Sequence, residues 1–133
     1  MHYEISCIAA SMQSSLRYVS PLQDAQGTLG EHFGESPYFA LVEIDLQEML
    51  LAKQEIVANP YKDLAKGKGL KVAKFLLTYK PDVILSKESL AGKGPGYAFA
   101  EAGVETTQTQ AKTLEELVNG LREAKGGNAA DKS

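Results

Sequence analysis

Apolar and polar residues alternate with a period of two along parts of the chain and recur at helical spacing in others. Alternation, or a short apolar run rich in β-branched and aromatic residues, predicts five strands, over residues 15–22, 38–45, 54–58, 82–86 and 104–109. Apolar stripes at helical spacing predict three helices, over residues 69–79, over 95–103 and from residue 113 onward.

Residues with strong backbone preferences mark the ends of these helices. Pro81 stops the first helix, and Pro95 opens the second at a position where its missing N–H costs nothing. Gly103 ends the second helix as a left-handed cap. Thr113 and Glu116 stand three residues apart and predict a capping box at the start of the last helix.

The order of the predicted elements indicates an α/β domain. Helix and strand alternate in the second half, and parallel strands need such crossover connections. The early strands are joined as a hairpin, so we expect a mixed sheet with helices on both faces. This domain is expected to occupy residues 14–125. Residues 1–13 are then an N-terminal extension, and the small, polar residues 126–133 are a disordered tail.

Composition and charge restrict the class of protein. A chain of 133 residues with 44% hydrophobic and 23% charged residues is sufficient for one globular domain. Its net charge of −3 gives no electrostatic case for nucleic-acid binding. No apolar run reaches the roughly 18 residues of a membrane span, and no secretory signal is recognised. We therefore expect a cytoplasmic location and no direct membrane insertion.

The segment from Gly27 to Pro37 carries His32 on a glycine-rich loop between two predicted strands. Glycines around an imidazole let it approach a metal or an inorganic cluster without obstruction by bulky side chains. Glycines and a proline also mark ordinary turns, in which a histidine is simply solvated. Both interpretations of His32 stay open on this evidence.

A second loop, residues 86–97, follows a buried strand and precedes a helix that begins near Gly94 and Gly96. Ligands bind at such positions in open α/β sheets, and backbone N–H groups there favour anions such as phosphate or a sulfide cluster. The residues after Lys93 do not fit a phosphate-binding P-loop, and Tyr97 breaks the dinucleotide-binding pattern. The alternative is a flexible turn that merely ends the strand.

Motifs for catalysis are missing from the sequence. It contains neither a Gly-x-Ser-x-Gly nucleophile elbow nor a His-Glu-x-x-His zinc motif, so we expect no enzymatic activity. Cys7, the single cysteine, excludes an intrachain disulfide and lies in an apolar run. Such a cysteine is typically a small buried hydrophobe, and the alternative is a second cluster ligand.

Eight short motifs follow one another over residues 15–124. They are Val19-Ser-Pro-Leu22, Glu31-His32-Phe33-Gly34-Glu-Ser-Pro37-Tyr38-Phe39, Asn59-Pro60-Tyr61, Gly67-Lys-Gly69-Leu70-Lys71-Val72-Ala73, Pro81-Asp-Val-Ile84, Gly94-Pro95, Ala102-Gly103-Val104 and Thr113-Leu-Glu-Glu. In this order and spacing the chain resembles the dinitrogenase iron-molybdenum cofactor biosynthesis family.

The resemblance implies a ribonuclease H-like three-layer α/β fold. It also implies a non-catalytic domain that binds or carries an iron–sulfur or molybdenum-containing cluster, or its precursor, in a role related to nitrogen fixation. The family's candidate cluster ligand is the histidine of the His-Phe-Gly motif, here His32. The expected cofactor-binding residues are His32, Phe33, Gly34, Gly94 and Gly96, with His32 as the metal ligand. The implied partners are the cluster and the proteins that donate or accept it.

Segment 87–93 is longer than in the shorter members of this family. With the preceding Lys80-Pro-Asp-Val run it resembles the version of the domain that is fused behind cation-efflux transporters. The opening His2-Tyr3-Glu4 is similar to the closing strand of such a transporter's cytosolic domain. The alternative function is therefore a regulatory or interaction domain of a cation-efflux transporter, at the cytosolic face of the membrane.

Overall fold

The computed structural model describes the backbone of residues 14–132 and the side chains of residues 14–123. The strands are β1 (Ser15–Leu22), β2 (Tyr38–Asp45), β3 (Leu50–Ala58), β4 (Val83–Ser86) and β5 (Glu105–Gln108). The helices are α1 (Lys68–Leu77), α2 (Gly94–Glu101) and α3 (Leu114–Lys132).

The five strands form one mixed sheet in the order β3-β2-β1-β4-β5. The first three strands along the chain pair antiparallel, whereas β4 lies parallel to β1 and β5 lies parallel to β4. Helical crossovers make the parallel half possible, because each carries the chain back to the same end of the sheet. The predicted three-layer α/β fold, a mixed sheet of five strands with helices on both faces, is confirmed.

Two hydrophobic clusters hold the three layers together, one on each face of the sheet. On one face α3 packs on the sheet through the apolar stripe predicted from the sequence, with a buried core of Tyr18, Leu22, Leu29, Ala40, Val42, Ile44, Leu85, Leu114, Leu117 and Val118. On the other face α1 and α2 cover a core of Val19, Phe33, Phe39, Val72, Ala73, Leu76, Ile84, Leu90, Phe99 and Val104. Alternate residues of the central strand β1 thus serve both cores.

Strand β3 is longer than the sequence predicts. It begins at Leu50 rather than at residue 54, and a tight turn over residues 46–49 replaces the expected longer connection. The Asp45 carboxylate accepts hydrogen bonds from the backbone N–H groups of Gln47 and Glu48, at 2.9 and 3.4 Å, and so stabilises the turn. Main-chain pairing with β2 extends the strand through residues whose side chains stay exposed, so side-chain patterning alone underestimates its length.

The start of α3 carries the predicted cap in a modified form. The Thr113 hydroxyl accepts a hydrogen bond of 3.1 Å from the Glu116 N–H, as in a capping box. The Glu116 carboxylate reaches back one residue further than the usual pattern and accepts from the Lys112 N–H at 2.7 Å.

The C-terminal end of the chain differs from the prediction, and the N-terminal end lies outside the described residues. The backbone of α3 is helical as far as Lys132, where we expected a disordered tail from residue 126. The helix continues from its capped start with no proline to end it, although Gly126 and Gly127 have low helix propensity. The predicted extension, residues 1–13 with His2 and Cys7, lies outside the described residues. Within the described part, none of the helices has the length and apolar character needed to cross a membrane.

Candidate functional site

The two loops that the sequence singles out lie at the same edge of the sheet. The first, residues 30–37, leads into β2 opposite the end of β1, where Leu22 pairs with Tyr38. The second, residues 87–93, leaves the end of β4, which is parallel to β1. The carboxyl ends of strands in an open α/β sheet are where ligands usually bind.

The ring of Phe33 anchors the first loop in the core. It is 1% exposed, and its centroid lies 5.4 Å from that of Phe39 and 5.7 Å from that of Phe99. The neighbouring His32 is exposed, and its carbonyl oxygen accepts a hydrogen bond of 2.6 Å from the Ser36 hydroxyl. The loop is therefore fixed by Phe33 while the imidazole of His32 stays accessible. The side chain of the predicted site residue Phe33 is thus buried, and its main-chain N–H donates to Glu88 of the second loop.

Glu88 joins the two loops. One oxygen of its carboxylate, Oε2, accepts a hydrogen bond of 2.7 Å from the Phe33 N–H, and the other, Oε1, pairs with the Lys93 ammonium at 2.9 Å. A second ion pair, between Lys87 of the second loop and Glu31 of the first at 3.2 Å, also connects the two loops. Together these contacts hold the His32 loop against the segment that leads into α2.

The pKa of Glu88 is lower than that of an ordinary glutamate. Partial burial acts to raise this pKa, because it disfavours the charged form. The hydrogen bond from the Phe33 N–H, the ion pair with Lys93 and the nearby His32 together outweigh that effect. The Glu88 carboxylate is therefore a stable anion at neutral pH.

Asn59 holds the first loop from the other side. Its side-chain amide donates hydrogen bonds to the carbonyl oxygens of Gly34 and Ser36, at 3.2 and 2.8 Å, and its own carbonyl oxygen accepts one from the Tyr61 N–H at 2.9 Å. The Asn59 N–H donates to the Pro37 carbonyl at 2.8 Å. The residue is 5% exposed, so each of these bonds satisfies a buried polar group.

The first turns of α1 and α2 lie next to the His32 loop. A Cβ atom on Gly34 would lie 3.7 Å from Cδ of Lys68, and one on Gly69 would lie 3.0 Å from the ring of Pro95. The first turn of α1 reads Lys68-Gly-Leu-Lys71, and that of α2 begins Gly94-Pro95. Amide N–H groups at a helix start have no acceptor within the helix and attract anions. Two such starts and several lysines therefore converge at this edge.

The two predicted glycines of α2 have different roles. A Cβ on Gly96 would lie only 2.1 Å from the carbonyl oxygen of Leu90, so the backbone of α2 packs directly on the preceding loop. A Cβ on Gly94 would meet nothing within 4 Å, and Gly94 is exposed. Gly96 is needed for packing, whereas Gly94 leaves the start of α2 open.

The donors at this edge suit an anionic ligand that brings its own inorganic ligands. Across the described residues, no group of three or more His, Cys, Asp or Glu side chains is placed to hold a metal ion. His32 supplies one accessible imidazole, and the helix starts and Lys68 add positive potential beside Lys87 and Lys93, which are paired with Glu31 and Glu88. A metal–sulfur cluster fits this set, because its sulfides complete the coordination of its metals. The interpretation of Cys7 as a buried hydrophobe stays a prediction.

Sequence reasoning missed Glu88, Lys93 and Asn59 as site residues. Glu88 and Lys93 belong to the loop whose glycines predict a ligand site, but nothing in their local sequence distinguishes them from charged residues that are simply solvated. Asn59 stands directly between a strand and Pro60, a position at which asparagine often caps a turn. Its position in the sequence therefore indicates a structural role for its side chain.

Two solved structures are similar to this chain. The apo form of the orange protein from Desulfovibrio gigas has 21% identity and a TM-score of 0.63, with 82% of this chain and 88% of that one covered. A Methanocaldococcus jannaschii protein, provisionally described as a dinitrogenase, has 14% identity and a TM-score of 0.59, with 86% and 93% covered. At these identities the similarity concerns the fold. A sequence comparison with curated proteins gave no match.

The sequence profile of one family covers most of the domain. The profile described as dinitrogenase iron-molybdenum cofactor matches residues 16–124, which is nearly the range over which the motifs predicted the resemblance. The match includes both loops of the candidate site and, apart from Ser15 at the start of β1, all five strands. The chain therefore belongs to the dinitrogenase iron-molybdenum cofactor family.

Proposed function

We propose that this domain is a non-catalytic carrier for an iron–sulfur or molybdenum-containing cluster, or for a precursor of one. Membership in the iron-molybdenum cofactor family supports an association with such clusters. The cargo would bind between the His32 loop and the first turns of α1 and α2. Its partners would be the proteins that donate the cluster and accept it.

The observation that supports the proposal most is the environment of the Glu88 carboxylate. This anion is bound by a main-chain N–H, from Phe33, and by a lysine ammonium, from Lys93, beside the exposed His32. The same kinds of donors would bind an anionic cluster, because charge-assisted hydrogen bonds are the strong ones.

Each predicted residue has a part in this proposal. His32 would be the terminal ligand of one cluster metal, through an imidazole nitrogen. The main chain at Gly34 and Gly94 would let the cluster approach closely, since neither residue has a side chain in the way. Lys93 would balance the charge of the cargo. Gly96 would act indirectly, by letting α2 pack on the Leu90 carbonyl.

Anaerobic reconstitution tests the proposal. The protein is incubated with tetrathiomolybdate, or with ferrous iron and sulfide, then desalted and analysed for bound metal and visible absorption. We expect the unaltered protein to retain a coloured, metal-containing species. His32→Ala should weaken binding by about tenfold or more, equivalent to about 1.4 kcal/mol. Lys93→Gln should also weaken binding, because it removes a cation beside the site.

Two matched controls make the result specific. His2→Ala removes the other histidine of the sequence. Lys80→Gln removes a lysine just before the first residue of β4, whereas the candidate site lies at the carboxyl end of that strand. Both controls should bind like the unaltered protein. A protein that stays colourless and metal-free after both treatments would contradict the carrier function, as would His32→Ala binding equally well.

The regulatory or interaction role in a cation-efflux transporter stays a prediction, and the same experiment separates it from the carrier role. An interaction domain acts through its surface, so its folded form would retain neither probe and His32 would be only a turn residue. Retention of metal that depends on His32 favours the carrier.

A further inference from the structure

Strand β3 forms one edge of the sheet and is unusually exposed. Within the described residues it pairs only with β2, and eight of its nine residues are exposed. Three of them are large hydrophobic residues, Leu50, Leu51 and Ile56, with exposures of 50%, 39% and 36%. A long edge strand presents unpaired N–H and C=O groups to which another strand can bind.

The sequence of β3 is self-complementary. It reads Leu-Leu-Ala-Lys-Gln-Glu-Ile-Val-Ala, with three apolar residues on each side of Lys53-Gln54-Glu55. Reversing the strand about Gln54 exchanges lysine with glutamate and exchanges one apolar triplet with the other. A strand that pairs antiparallel with a copy of itself needs this kind of symmetry, because a twofold axis relates the two strands.

We propose that β3 pairs antiparallel with β3 of a second copy of this chain, about a twofold axis at Gln54. Lys53 then lies opposite Glu55 of the second copy, and the symmetry makes this ion pair twice. The apolar triplets, residues 50–52 and 56–58, then flank this central pairing on both sides. Directly opposed charges of unlike sign and opposed apolar residues both stabilise a strand pair.

Neighbouring registers lack this complementarity. An axis at Lys53 would place Lys53 opposite itself, and an axis at Glu55 would place Glu55 opposite itself. Either arrangement sets like charges face to face and aligns the remaining charge with an apolar residue, which is unfavourable. The charges therefore select the register as well as the orientation.

Two features of β3 usually protect an edge strand from pairing, and neither prevents this register. An edge lysine is unfavourable when it must face apolar residues of a neighbour. Here Lys53 faces a glutamate of the second copy. Lys53 and Glu55 of one chain are 4.0 Å apart, and both side chains stay accessible, with exposures of 68% and 48%. The irregularity in the pairing with β2 leaves Ala52 as the extra residue, since Lys53 pairs with Glu43 and Leu51 with Ile44. The central residues 53–55 keep regular pairing.

Sedimentation velocity of the full chain over a series of concentrations tests the proposal. We expect the unaltered protein to shift from monomer to dimer as its concentration rises. Lys53→Glu and Glu55→Lys should each weaken self-association by about fivefold or more, because each turns two attractive pairs into repulsive ones. Lys74→Glu, the same charge change at an exposed position of α1, should leave self-association unchanged.

Mixing the two charge variants provides the decisive measurement. A Lys53→Glu copy and a Glu55→Lys copy have complementary charges only toward each other, so the mixture should form a heterodimer although each variant alone is largely monomeric. The double variant Lys53→Glu/Glu55→Lys should recover self-association. A monomeric unaltered protein at every concentration would overturn the proposal, for instance if another segment of the chain covers this edge. Single variants that dimerise as strongly as the unaltered protein, or a mixture that stays monomeric, would overturn it too.

Discussion

The carboxylate of Glu88 accepts a 2.7 Å hydrogen bond from the main-chain N–H of Phe33, a residue 55 positions earlier in the chain. This bond links the loop after β4 to the loop before β2. Because the ring of Phe33 is part of the core, the bond also ties the second loop to a fixed point of the structure.

Replacing Glu88 by glutamine should destabilise the domain. Glutamine has nearly the same shape but no charge, so its bonds to the Phe33 N–H and the Lys93 ammonium are weaker. We expect the free energy of unfolding at neutral pH to fall by about 1–2 kcal/mol, because a hydrogen bond to a charged group contributes roughly 1.5–3 kcal/mol and the neutral amide keeps part of it. Urea unfolding measures the change. Glu35→Gln, an exposed glutamate of the His32 loop, should have little effect; an equal loss there would contradict the role of Glu88.

The contribution of Glu88 should depend on pH. Its pKa in the folded state is lowered from the ordinary value of 4.5, so the folded state binds a proton less readily than the unfolded state. The stabilisation is therefore complete above pH 4.5 and is lost as the pH falls through the lowered pKa of the folded state. The stability difference between the unaltered protein and Glu88→Gln should narrow on acidification. A difference that stays constant as the pH falls from neutral to well below 4.5 would contradict this linkage.

Alanine substitutions at Gly96 and Gly94 should have opposite outcomes although the two glycines share one helix turn. At Gly96 the new Cβ would overlap the Leu90 carbonyl, which is main chain and cannot move without shifting the loop. We expect a loss of about 1–3 kcal/mol, typical of overpacking. At Gly94 the space is open, and alanine should be neutral or slightly stabilising. Thermal unfolding of both variants gives the comparison, and similar melting temperatures would be inconsistent with this packing.

Phe33→Leu separates a packing role of Phe33 from a ligand role. The smaller side chain loses contacts with Phe39 and Phe99, and the free energy of unfolding should fall by about 1–3 kcal/mol. The folded variant keeps its main-chain N–H, so its binding of tetrathiomolybdate should equal that of the unaltered protein. Weakened probe binding by fully folded Phe33→Leu would show that the ring itself contributes to the site.

The parts of this structure that depend on local backbone preference follow from the sequence. Pro81, Pro95, Gly103 and Thr113 mark helix ends correctly to within a few residues, because each residue acts on its own turn. The first residues of β3 were missed because pairing with β2, rather than side-chain burial, makes them a strand.

The candidate site was predictable as two separate loops but not as one site. Glycines identified the loop of His32 and the loop that ends at Gly94. Their junction depends on Glu88, and a glutamate among other loop charges has no local signature of a partner 55 residues away. The predicted metal-ligand role of His32 stays a prediction, since its imidazole is exposed and a ligand role depends on what binds there.

Residues 30–37 are held in place by hydrogen bonds within the protein itself, from Asn59 on one side and to Glu88 on the other. Ordering a free loop costs about 1–2 kcal/mol of backbone entropy for each residue, and here folding has already ordered it. The affinity of this edge for a ligand is therefore not reduced by loop ordering, so that a small number of contacts is sufficient. Arrival and departure of a ligand are then governed by encounter and desolvation rather than by a slow loop rearrangement.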